Sequence, residues 1–192
     1  MSRFLWLALA LLVASCGGGY SPPRELDNAC AIVRERPSYL RAMSRAERDW
    51  GVPVAVQMAL IYQESKFVGN ARTPHRYALG IIPLGRQSSA YGYAQALDGT
   101  WSEYQSATRN FGARRTQIDD STDFIGWYLA GSTDRLGIAK TDVRNQYLAY
   151  HEGRSGYARG TFSSKGWLMQ IATSVESRAR MYDQQLVACG KV

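Results

Sequence analysis

Glu64 ends an apolar stretch, Val54-Ala55-Val56-Gln57-Met58-Ala59-Leu60-Ile61, and on a helix Leu60 and Ile61 would lie one turn behind its carboxyl. Such neighbours desolvate a carboxylate, and the partial negative charge of a helix C-terminus disfavours ionisation in the same sense. Both effects raise the pKa, which is what a general acid needs if it is to hold its proton near neutral pH. A solvated glutamate at a helix end fits the isolated residue equally well, so the surrounding sequence has to decide.

Gln63-Glu64-Ser65-Lys66-Phe67 is followed by Ser89-Ala90-Tyr91-Gly92-Tyr93-Ala94-Gln95 and then by Leu148-Ala149-Tyr150-His151-Glu152-Gly153. In this order the three segments resemble the E-S-x-F, G-A-x-G-L-M-Q and A-Y-N-x-G motifs of soluble-lytic-transglycosylase-type domains, relatives of goose-type lysozyme. The second segment keeps Ala90, Gly92 and Gln95, and the third keeps Ala149, Tyr150 and Gly153. The resemblance spans residues 51–153. It departs at Ser89 for Gly, Tyr93 for Leu, Ala94 for Met and His151 for Asn, and the insertion over 69–88 is longer than the family pattern. Tyr93 and Ala94 read as a matched change in packing volume. His151 can still donate or accept a hydrogen bond where the family's amide lines the site, so retuned rather than lost activity is expected.

Breaking a glycosidic bond requires protonation of the leaving oxygen and support for positive charge at the anomeric carbon, usually from two carboxylates. No second acid adjoins Glu64. The nearest downstream, Asp98 and Glu103, read as the cap and outer face of the following helix. The resemblance implies a one-carboxylate route on the MurNAc-GlcNAc β-1,4 bond of peptidoglycan. Glu64 protonates the bond, the substrate's N-acetyl group supports the cation, and Glu64 then takes the proton of the muramyl 6-hydroxyl. The product is a 1,6-anhydromuramyl end, formed as in a carbon-oxygen lyase without water or cofactor.

The resemblance also places Ser65, Gly92, Tyr93, Gln95, Tyr150 and His151 against the substrate. Tyr150 is expected to hydrogen-bond Glu64 or the acetamido group, Ser65 to position Glu64 or a substrate group, and Gln95 to reach the sugar from its loop. Gly92 would let backbone approach closely. Tyr91, Tyr93, Trp101 and Tyr104 fit either sugar-stacking platforms or core aromatics. Two other readings stay open: a lysozyme-like hydrolase using water and a second carboxylate, and a weakly active or inactive peptidoglycan-binding lipoprotein of an envelope or secretion complex.

Other chemistries find no pattern. His75 and His151 form no metal set with Cys30 and Cys189, since the spacings match no zinc site. Ser65 and Ser88 lack the G-x-S-x-G context of a hydrolase elbow, and neither a phosphate loop nor a dinucleotide fingerprint occurs.

The elements that must position Glu64 follow from punctuation and periodicity. Pro37 opens a first helix with Tyr39, Leu40, Met43 and Trp50 at helical spacing and Gly51 as its stop. Val52-Pro53 opens a second, running to about Ser65. Residues 69–88 are rich in Gly, Pro and Ser and read as irregular, with extended chain only over 78–84. Helices are expected again over 100–109, from Asp119 or Asp120 as N-cap, from Thr141 to a stop at Gly153, and from Ser163 or Ser164 through Cys189. The fold class is therefore mainly α, an α+β lysozyme-like single helical domain with a loop-rich insertion after the catalytic helix.

The ends of the chain set its compartment. Residues 1–15 place Arg3 before an apolar run over 4–14, too short for the roughly 20 residues of a membrane span, and read as a signal peptide. Val13-Ala14-Ser15-Cys16 resembles the lipobox of bacterial lipoproteins, so Cys16 is the expected lipidation site, followed over 16–29 by a Gly-rich tether. The domain then occupies 30–192. With Cys16 lipidated, Cys30 and Cys189 remain as a disulfide pair in an oxidising compartment. The chain carries 23 basic and 16 acidic residues, a net of +7, or +6 once Arg3 has gone. That balance suits an anionic partner such as the cell wall, while the scatter of the arginines and the secretion signal argue against nucleic acid. The expected location is the periplasmic face of the outer membrane, reached through the lipid anchor.

Overall fold

A computed structural model describes residues 19–79 and 81–192. The leader and Cys16 lie outside the described residues. Among the described residues, seven helices and one hairpin follow in order: α1 Ala29–Glu35, α2 Pro37–Trp50, α3 Val54–Ser65, β1 His75–Ala78, β2 Ile82–Arg86, α4 Asp98–Thr108, α5 Ile118–Leu136, α6 Val143–Ala158 and α7 Gly166–Ala188. The chain is mainly α, as its patterning predicts.

α3 is the axis of the molecule. Nine of its residues are buried, from Val54 to Ser65, so it has no solvated stripe and must be enclosed on all sides. α7, α2 and α5 all pack against it. Its start is set by Pro53 and its end by Lys66, whose positive φ of 52° breaks the helical path. Phe67 repeats that conformation (φ 61°) and turns its ring into the core, stacked on Tyr39 of α2 at 5.9 Å. The chain therefore leaves α3 abruptly just after Glu64.

Several boundaries differ from the sequence reading, each for a local reason. α1 precedes the first expected helix and is capped by the Asn28 side chain, which accepts from the Ala31 N–H at 3.0 Å. α4 begins at Asp98, two residues before Thr100. α5 is capped at Gln117, with Asp119 and Asp120 inside its first turn, where the helix dipole favours acids. Asp142 rather than Thr141 caps α6, accepting from the Asn145 N–H. Gly153 does not close α6 but kinks it, at φ 74° and ψ 154°. The N-cap position of α7 is Lys165, while the Ser163 hydroxyl is spent on the Gly160 carbonyl. The extended run over 78–84 is a hairpin: β1 and β2 pair antiparallel, Ala78 opposite Ile82.

Cys30 and Cys189 form a disulfide with Cα atoms 6.4 Å apart, tying α1 to the end of α7. Gln185 reinforces it, accepting from the Ala29 N–H at 2.7 Å and donating to the Asp27 carbonyl at 3.0 Å. The segment expected as a loose tether is held from Tyr20 onward, since the Tyr20 carbonyl accepts from the Gly69 N–H.

Candidate active site

Glu64 lies in the last turn of α3, partly exposed but closely surrounded by protein. Burial pushes its carboxyl from the usual 4.5 up to about 7, against the opposing pull of the Tyr147 hydroxyl and of the Lys66 charge. Tyr147 is on α6 and almost fully buried. Burial first, and then the Glu64 charge, hold its phenol proton far above neutrality, so it donates toward Glu64, while Gln63 donates to the phenol oxygen. Gln63 and Glu64 thus both lie within reach of the Tyr147 hydroxyl.

Tyr150, three residues on along the same helix face, uses its hydroxyl differently from the expectation. It donates to the Ala94 carbonyl at 2.6 Å. Its proton is held well above the ordinary phenol range, first by burial and next by the charge of Glu64, so the two groups remain neighbours. Tyr150 is therefore a clamp between α6 and the second motif, and the hydroxyl acting on Glu64 is that of Tyr147, which the sequence reading missed.

The second motif is a self-braced loop. Tyr91 bridges to Ala96, and Gly92 sits at φ 80° with no room for a side chain, since a Cβ would fall 1.9 Å from the Arg115 carbonyl oxygen. Its missing side chain thus admits Arg115 backbone rather than a sugar. Gln95, also at positive φ (48°), donates its amide to the carbonyls of Ala71 and Gly92, both at 2.9 Å. Arg115 completes the brace, donating to Ala96 and Ser89 carbonyls and pairing with Asp98 at 2.7 Å. Tyr93 points away from this surface: it is 4 % exposed and shares a hydrogen bond with the Tyr39 hydroxyl at 3.0 Å. Ser65 returns its hydroxyl to the Ile61 carbonyl of its own helix. Trp101 and Tyr104 are core, in tilted and edge-on contact respectively with Phe124. Tyr91 is stacked under Arg72 at 3.8 Å.

A cavity of about 190 Å³ runs between this loop and the kink of α6, with Gln95, Tyr150, His151 and Glu152 in its walls. His151 is half-exposed, its Nδ1 3.2 Å from Glu152 Oε1 and its ring edge-on to Trp167 at 5.4 Å. Glu152 cannot serve as a second acid. Lys165 Nζ lies 2.8 Å from both its oxygens and the Thr161 hydroxyl also donates to it. Those partners, Lys165 foremost, lower its pKa to about 2. The other acids considered from sequence are also engaged or remote: Asp98 is paired with Arg115, and Glu103 is exposed on α4. Glu64 is accordingly a carboxyl poised near neutrality, while Glu152, in the cavity wall, is one held ionised.

A second cleft, of about 520 Å³, opens on the other side of Gln63 between α3 and α7. There Lys66 and Arg178 lie over the Tyr62 ring, at 3.6 and 3.4 Å from its centroid.

No curated protein matches the chain. A family model described as the transglycosylase SLT domain matches residues 4–189, taking in α3 with Glu64, the braced loop and the kinked α6 alike; the chain belongs to this family.

Proposed function

We propose that the protein is a peptidoglycan lytic transglycosylase that cleaves the MurNAc-GlcNAc β-1,4 bond with Glu64 as its only acid and base. The observation that carries this reading is Glu64, a carboxyl that burial raises to about 7 beside Tyr147, while Glu152 in the wall of the neighbouring cavity is tied to a lysine. At that pKa a protonated Glu64 delivers its proton to the leaving oxygen, and the resulting carboxylate is basic enough to accept the muramyl 6-hydroxyl proton. Tyr147 stays protonated through both steps and steadies the anionic form. With the Glu152 carboxylate engaged by Lys165 and Thr161 rather than free to act as nucleophile or to activate water, the substrate's N-acetyl oxygen supports the cation and the 6-hydroxyl closes the ring. The family membership supports peptidoglycan as the substrate class.

Digestion of purified sacculi followed by mass analysis of the released muropeptides tests the reaction. Anhydro ends are the expected products. Reducing ends, heavier by one water, would instead make the protein a hydrolase, and binding with no release above a Glu64→Gln control would make it a wall-binding protein. We further propose that the protein is a lipoprotein held through Cys16 at the periplasmic face of the outer membrane. On that reading a Cys16→Ser protein loses its salt-resistant hold on the membrane fraction and is released by a high-salt wash, while its domain still digests isolated sacculi.

A further inference from the structure

We propose that the β1–β2 hairpin is a membrane-docking element that seats in an anionic phospholipid surface. Four exposed residues clustered about its tip are apolar: Leu79 is 90 % exposed, Ile81 78 %, Leu84 59 % and Tyr77 55 %. Leu79 also occupies a turn position at φ 52°, where Asn, Asp or Gly is the favoured choice. A leucine there is unfavourable for the turn and unfavourable in water, so neither local structure nor solubility accounts for it. Charge supplies the second observation. From Glu64 to Asp98 the chain has Lys66, Arg72, Arg76 and Arg86 and no intervening acid. An apolar tip set in a purely cationic stretch complements a surface that offers a hydrocarbon phase beneath negative headgroups. Peptidoglycan offers the negative charge without the apolar phase. Tyr77 has the amphipathic ring that favours such an interface.

The base of the hairpin connects this surface to the groove. Thr73 accepts from the Ser88 N–H and donates to the Ser88 carbonyl, Arg86 donates to the Thr73 carbonyl at 2.7 Å, and Ala71 accepts from both Gly92 and Gln95. A hairpin seated in a bilayer would therefore fix the orientation of the loop that walls the cavity beside Tyr150 and His151.

Vesicle flotation tests the proposal, using the chain from residue 16 onward with Cys16→Ser, which retains every described residue and adds no lipid. The protein should float with vesicles of mixed phosphatidylcholine and phosphatidylglycerol, and more weakly with phosphatidylcholine alone. Leu79→Asp with Ile81→Asp should lower partitioning about tenfold or more, and Arg76→Ala about fivefold at low salt. Both positions are exposed and Asp suits the Leu79 turn, so circular dichroism and turnover of soluble glycan fragments should stay at the parent level. Absence of flotation by the parent protein, or unchanged flotation by the double variant, would overturn the proposal. So would two other results: self-association abolished by the same variant, which makes a second copy the occupant, or loss of sacculus binding alone, which makes it the wall.

Discussion

The hydroxyl of Tyr150 donates to the carbonyl oxygen of Ala94 at 2.6 Å, fastening α6 to the braced loop across 56 residues of sequence. Tyr150→Phe removes the donor and leaves a buried carbonyl unsatisfied, at about 1–3 kcal/mol. Ala94 is 1 % exposed, so water does not readily replace it. Denaturant midpoints should fall accordingly, and the loosened loop should raise KM more than it lowers kcat. Unchanged stability in Tyr150→Phe would mean that this hydrogen bond contributes nothing net.

Tyr147 acts through Glu64, so its removal should appear as a shifted pH profile. The Tyr147 hydroxyl lowers the Glu64 pKa against the larger effect of burial. Tyr147→Phe therefore raises it further above about 7, and the alkaline limb of kcat/KM, where the general acid loses its proton, should move to higher pH. Lys66→Met should move it the same way, because the Lys66 charge also lowers the Glu64 pKa. A drop in rate with an unmoved limb would assign Tyr147 to packing alone.

Much of this site was legible in sequence where the signal is local. Gly51, Pro53 and the apolar run that follows them announce α3, and with it the position of Glu64, because burial on every side leaves no polar residue but Gln57 until Tyr62. Long-range contacts were not legible. Gly92, Tyr93 and Gln95 read as substrate contacts because they recur in a motif, whereas their partners Arg115, Tyr39 and Ala71 come from distant segments that no spacing rule connects. Tyr147 carried a usable signal, since it lies three residues before Tyr150 and four before His151 on one helix face, but the motif begins after it. α1 has only seven residues, too few for a periodicity, and only Asn28 marks its start.

The Cys30–Cys189 disulfide closes a loop of 159 residues that contains every site residue but bonds to none of them. Cys30→Ala with Cys189→Ala should therefore lower stability by about 2–5 kcal/mol, read as a lower Tm. The Gln185 bonds to Ala29 and Asp27 remain to hold α1, and turnover per folded molecule should not change. Loss of turnover at a temperature where the helical signal is intact would show that α1 supports the groove directly.

Glu64→Gln separates function from stability most sharply. General acid and base assistance contribute roughly 100- to 10,000-fold per role, and here one residue fills both, so a folded Glu64→Gln protein should retain less than about one per cent of the parent rate. Its stability should change in the opposite direction. The folded-state pKa of Glu64 is about 7 against an ordinary 4.5, so the folded protein holds this proton more tightly than the unfolded chain. The stabilisation that follows is complete below pH 4.5 and is lost as pH rises through 7, where the charge must be kept in a desolvated place. Glutamine carries no charge at any pH. Relative to the parent, Glu64→Gln should gain stability between pH 4.5 and 7, by no more than about 3 kcal/mol. Paired denaturation curves at pH 4 and pH 8 measure this directly. A difference between the two proteins that does not grow with pH would remove the raised pKa, and with it the basis for assigning the proton transfers to Glu64.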